Sequence, residues 1–174
     1  TLFLSFKDVD GMNFENAFAL LKFGISLFCD EHSYLESSDL VTDTQKKIFH
    51  RLREQTATIT DVQSSLLILM NMMKRYYGKP VVLLIDEYDV PIAKASSNGY
   101  YKEMLDIMRG ILQVLKDNNN LAFAVITGCL RISKESIFTG TNNFKINTIT
   151  SKRFNEYFGF TEREVKELLQ DINA

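Results

Sequence analysis

The sequence predicts an α/β fold built on parallel strands. Three observations carry that prediction. Val81–Ile85 is an unbroken aliphatic run, Leu121–Ile126 is a second apolar run, and between them Tyr101, Met104, Leu105, Met108, Leu112 and Leu115 recur at helical spacing. Apolar runs without alternation fit strands buried on both faces, as in a parallel sheet. A strand, a helix of about four turns and a second strand make a βαβ unit, whose crossover is right-handed.

The remaining elements follow in chain order. Leu2–Phe6 reads as a short strand bounded by the polar stretch 7–11. Asn13 is placed to cap a helix in which Phe14, Ala17, Phe18, Leu21, Ile25 and Phe28 share a face, ending near His32. Residues 33–60 are more polar and hold at least one short helix, opened by a capping box of Thr42 with Gln45. Thr60 with Gln63 reads as a second box, before a stripe of Val62, Leu66, Leu69, Met70, Met73 and Tyr77. Gly78-Lys79-Pro80 ends that helix and turns the chain into the strand at 81–85.

Beyond this strand, Pro91 is expected to open an irregular stretch reaching Gly99, and 117–120 reads as a loop. Ser133 caps a short helix through Ile137, and 145–150 alternates like a last short strand. Thr161 with Glu164 is the clearest capping box, opening a helix with Val165, Leu168, Leu169 and Ile172. A boundary is expected near 151–160, dividing a core over 1–152 from the start of a helical region over 153–174.

The strand at 81–85 runs straight into Asp86, Glu87, Tyr88 and Asp89. Open α/β sheets bind ligands at the carboxyl ends of their strands. Carboxylates there can hold magnesium, directly or through water, and can orient a nucleophilic water. This is the logic of the Walker B element of nucleotide hydrolases. The bland alternative is two acids that merely end a strand, with Asp89 a loop or cap residue.

Composition narrows the field. The chain has 174 residues, 45% of them hydrophobic and 24% charged, with a formal net charge of −2. That balance makes no electrostatic case for nucleic acid, and no apolar stretch approaches the roughly 20 residues of a membrane-spanning helix. Cys29 and Cys129 lie far apart and make neither a disulfide framework nor a C-x-x-C pair, which suits reduced thiols in a cytoplasmic setting.

Taken together, V-V-L-L-I-D-E-Y-D-V-P-I, N-G-Y-Y, A-V-I-T-G-C-L-R-I-S-K-E-S-I-F-T-G-T-N-N and E-Y-F-G-F-T-E-R-E-V resemble the bacterial AAA-ATPase-like family, over essentially the whole chain. Many members carry a nuclease-like domain after the ATPase region. The resemblance implies a three-layer P-loop NTPase core that uses ATP and magnesium. It implies Asp86 as the metal-supporting acid and Glu87 as the acid that polarises water. It also implies Thr127 as a polar sensor near the γ-phosphate and Arg131 as a contact for phosphate charge.

One departure matters. The phosphate loop G-x-x-x-x-G-K-[ST] supplies backbone N–H groups and a lysine to the phosphates, and this chain contains no such pattern. Its one Gly-Lys pair, Gly78-Lys79, is followed by Pro80 and precedes the acids. The segment is therefore expected to start after the loop and to be inactive alone. In related folds the strand feeding the loop lies beside the sensor strand. Its absence predicts a sheet of 2–6, 81–85 and 121–126 with 81–85 central. Leu121–Ile126 becomes an unpaired edge able to self-associate.

Two other classes compete. One is a non-catalytic interaction module with remnant acids. The other is a metal-dependent nuclease, disfavoured because no E/D-x-K stands on a strand after the acids and Lys94 falls in a loop or helix. His32 and His50 read as surface residues, and Arg131 and Lys134 as solvated charges unless phosphate lies near. The Tyr76-Tyr77 and Tyr100-Tyr101 pairs read as helix ends packing on the core, and the methionines as core filler.

Overall fold

The computed structural model describes residues 1–116, 118–129, 145–148, 150–154, 157 and 159–172. Contacts divide the chain into two units, Thr1–Gly140 and Thr141–Ala174. The first holds three parallel strands: β1 (Leu2–Ser5), β2 (Val81–Asp86) and β3 (Leu121–Ile126), in the order β1-β2-β3. The strand that carries the acids is central, as the sequence led us to expect. Leu2 pairs with Leu83 and Leu4 with Ile85, and Leu83 pairs in turn with Ala124 and Ile85 with Ile126. A register shift at Val81/Val82 lets β3 accommodate Ala122.

Between β1 and β2 run α1 (Phe14–Asp30), α2 (Asp43–Arg53), α3 (Ile59–Gln63) and α4 (Ser65–Tyr77). Asn13 caps α1 by accepting from the Asn16 N–H at 2.9 Å, and Thr42 with Gln45 boxes α2. The second box is made by Thr58 with Asp61, not by Thr60 with Gln63. The chain bends at Ser64, so the single helix expected there is two. Ser64 instead bonds back to the Thr60 carbonyl at 2.9 Å, the local competition that serine offers to helix propagation. Gly78 closes α4 at φ +66°, a left-handed cap that costs glycine little.

Between β2 and β3 lie α5 (Val90–Asn98) and α6 (Tyr101–Leu112), followed by a 3₁₀ turn at Gln113–Leu115. The irregular stretch expected after Pro91 is in fact α5. Proline stands in its first turn, where no backbone N–H is missed. Tyr100 is buried and donates its hydroxyl to the Gly11 carbonyl at 2.6 Å. Tyr76 and Tyr77 do not pack on the core. They are exposed and meet Tyr34 edge to face. Met70, Met72, Met73, Met104 and Met108 are core residues.

Both crossovers step the same way across the sheet, and right-handed crossovers doing so put their helices on one face. Burial agrees. Leu2, Leu4, Val81, Leu83 and Ile85 are buried beneath the helices. On the opposite face Phe3 and Phe123 are 59% and 60% exposed, and Val82 and Leu84 are only half-buried. The aliphatic run at 81–85 is thus buried on one face rather than two. Among the described residues the unit has two layers. Within the described residues β3 pairs with β2 alone.

The second unit contains α7 (Glu162–Ile172), opened by the Thr161–Glu164 box. Residues 145–148 form no strand; Thr148 instead accepts a turn bond from the Ser151 N–H. The short helix expected from Ser133 to Ile137, along with Arg131 and Lys134, lies outside the described residues.

Candidate functional site

The acids sit at the carboxyl end of the sheet. Asp86 is the last residue of β2, on the open face by alternation with Val82 and Leu84. Its register partner on β1 is Ser5, and its carbonyl accepts from the Phe6 N–H at 3.0 Å. Thr127 follows β3 directly and donates its hydroxyl to the Asp86 carboxylate. Both residues line a depression of about 250 Å³ on the open face, with Phe3, Leu84, Ile85 and Val125.

The chain between the two strand ends is tightly specified. The Thr127 N–H donates to the Ile85 carbonyl at 2.9 Å, and the Tyr88 N–H donates to the Thr127 carbonyl at 3.2 Å. Between these anchors Glu87 has φ +53°, in the left-handed region. A residue with a Cβ pays about 1 kcal/mol for that conformation, which Gln55 and Phe154 also adopt, so its surroundings must impose it. Glu87 is half-buried and does not line the depression. Asp89 is buried at the N-terminus of α5, where its carbonyl accepts the first helical N–H groups.

The structure therefore brings Asp86 and Thr127 into contact and puts Glu87 beside them in a strained turn. Among the described residues no three His, Cys, Asp or Glu side chains are grouped to hold a metal. A lone carboxylate holds magnesium only together with waters and oxygens supplied by other groups. The histidines lie elsewhere. His50 pairs with Glu36 at 2.9 Å, and His32 meets the Phe28 carbonyl at 3.0 Å. Lys94, weighed for a nuclease, stands on α5 and pairs with Asp10 at 2.6 Å.

One neighbour of the acidic turn was not singled out from the sequence. Gly128 follows Thr127 and lies directly against Tyr88 and Asp89. The signal was present as an isolated glycine closing a strand, a pattern that marks close backbone approach.

With this geometry in view, the comparisons with known proteins fall into place. A family model described as predicted AAA-ATPase matches residues 3–138. The chain belongs to this AAA-ATPase-like family. It is also similar to an uncharacterized protein in the vnfD 5′ region of Azotobacter chroococcum mcd 1, at 36% identity over 90 residues. That match covers 51% of this chain and 17% of the relative, so the chain spans a small part of that protein. No solved structure matches. Among the described residues no helix is long and apolar enough to cross a membrane.

Proposed function

We propose that this segment carries the acidic half of a magnesium-dependent ATPase site in a longer protein. The observation that carries the reading is the Asp86–Thr127 contact at the ligand-binding end of two adjacent parallel strands. Membership of a predicted AAA-ATPase family supports it. Asp86 would hold magnesium, which would neutralise phosphate charge when bound. Glu87 orients the attacking water and accepts its proton while the bond to the β-phosphate breaks and ADP leaves. Thr127 holds Asp86 and senses the terminal phosphate, and Arg131 meets phosphate charge, an assignment supported by sequence alone.

The phosphate cradle lies on a loop outside this segment, so the segment alone binds nucleotide poorly and turns none over. The strand and helix bearing that loop would pair with the outer edge of β3 and cover Phe3, Leu84, Phe123 and Val125, completing three layers. Residues 153–174 begin the helical lid. The site works in the cytoplasm, where hydrolysis drives a conformational change. Asp86→Ala in the full-length protein is expected to abolish magnesium-dependent phosphate release from ATP. Turnover within twofold of wild type refutes the assignment.

A second reading is favoured by the sheet face and β3 edge that are uncovered among the described residues: a non-catalytic module that pairs with another chain, or with its own copy, through β3. ATP titrations of this segment and of the full-length protein separate the two. Binding confined to the longer protein supports the ATPase. No binding by either, with a segment that self-associates in sedimentation, supports the module.

A further inference from the structure

Gly128, like Gly11 and Gly110, has no room for a side chain, and of these three it alone lies against the residues that follow the acids. An ideal Cβ built there would lie 2.5 Å from a carboxylate oxygen of Asp89 and 2.7 and 2.8 Å from two ring carbons of Tyr88. Real Cβ atoms do not approach so closely. Its φ is not in the left-handed region, so an alanine backbone would be comfortable and only the space is missing. By contrast, a Cβ on Gly24 in α1 meets nothing within 4 Å.

The residues that fill this gap directly follow the acids. Tyr88 is anchored through its N–H to the Thr127 carbonyl, and Asp89 is buried at the start of α5. Glu87 therefore sits between Asp86, fixed by the Thr127 hydroxyl, and Tyr88, fixed by the Thr127 carbonyl. Its left-handed backbone lies between these two contacts, and Gly128 stands against the two residues on its carboxyl side.

We propose that Gly128 is a positioning residue: the space left by its missing side chain seats Tyr88 and Asp89, and this seating holds the Asp86–Glu87 turn against the end of β3. The proposal rests on the ATPase reading of these acids. A methyl group at 128 separates the turn from Thr127 and shifts Glu87 relative to the water it orients. The phosphate cradle lies elsewhere and is unaffected, so kcat falls while the affinity for ATP does not.

The test uses the full-length protein and compares Gly128→Ala, Tyr88→Ala and the control Gly24→Ala. The first two are expected to lower kcat for ATP tenfold or more with KM and the Kd for ATP changed less than twofold, and the control to match wild type. Tyr88→Ala removes one wall of the seat without adding bulk, so it decides the matter if Gly128→Ala does not fold. A folded Gly128→Ala or Tyr88→Ala variant with kcat within twofold of wild type overturns the proposal. So does a loss that appears equally in KM and Kd. A wild-type protein that hydrolyses no ATP overturns both this proposal and the reading beneath it, whereas an active wild type with unaffected variants overturns the seat alone.

Discussion

The Thr127 hydroxyl donates to the Asp86 carboxylate across the ends of β3 and β2, joining two residues 41 positions apart in the chain. Hydrogen bonds to charged groups contribute about 1.5–3 kcal/mol, and breaking this one frees the carboxylate to rotate. Thr127→Val keeps the shape and removes the donor. It is expected to lower ATP turnover in the full-length protein by about 10- to 100-fold, by the same free-energy scale, whereas Thr127→Ser retains most activity. Phosphate-release assays decide this, and equal loss in both variants would show that the methyl group, not the hydroxyl, matters.

Glu87 holds a left-handed backbone that glycine adopts freely. Glu87→Gly should therefore stabilise the fold by about 1 kcal/mol, raising Tm by roughly 2–4 °C, while ATP turnover is lost. Glu87→Gln should keep nucleotide binding and slow hydrolysis. A lower Tm for the glycine variant would mean that the glutamate side chain contributes more than its backbone costs. Loss of nucleotide binding in Glu87→Gln would argue against water activation.

Acid sensitivity should centre on the α2–α3 junction. The Arg51 guanidinium grips Asp61 at 2.7 and 2.9 Å, and together with the Thr58 cap bonds it holds this carboxyl at about 2, below its ordinary 3.8. The pKa is depressed in the folded state, so the stabilisation is complete above about pH 4 and disappears as pH falls through about 2. With Arg51 partly open to solvent, the contribution is about 1 kcal/mol. Urea midpoints of wild type and Asp61→Asn should differ at pH 5 and converge towards pH 2. A gap that does not change with pH would contradict the pairing.

The two thiols should separate cleanly. Burial pushes Cys29 up to about 12, with nearby Asp30 adding to the rise and Arg53 opposing it, whereas Cys129 is exposed. Thiolate is the reactive form. A disulfide reagent at about pH 8 should label one cysteine promptly and the second only at the rate of unfolding. Two equally fast reactions would place Cys29 in solvent.

Local patterns carried much of this fold. The aliphatic run before Asp86, the second run before Thr127 and the helical spacing between them were enough for the strands, and the sheet order followed once the chain's likeness to its family was considered. Local chemistry also located the Asn13 cap and the Thr42 and Thr161 boxes, because a cap is decided within four residues. It failed where two local options competed. Thr58–Asp61 forms in place of Thr60–Gln63, and Arg51, from the preceding helix, supplies Asp61 with a further partner that a four-residue pattern does not contain. Pro91 suited a helix start as well as a break.

The sequence by itself determined that two acids follow a buried aliphatic strand and that a threonine and a glycine follow another. Only the tertiary structure decided that Thr127 reaches Asp86, that Glu87 is held left-handed, that Gly128 leaves room for Tyr88 and Asp89, and that among the described residues the helices cover one sheet face. The reason is physical. Side-chain type and spacing set which segments bury their apolar surface, whereas contacts between strand ends depend on register and on the sheet face to which the crossovers send their helices. No local pattern encodes either.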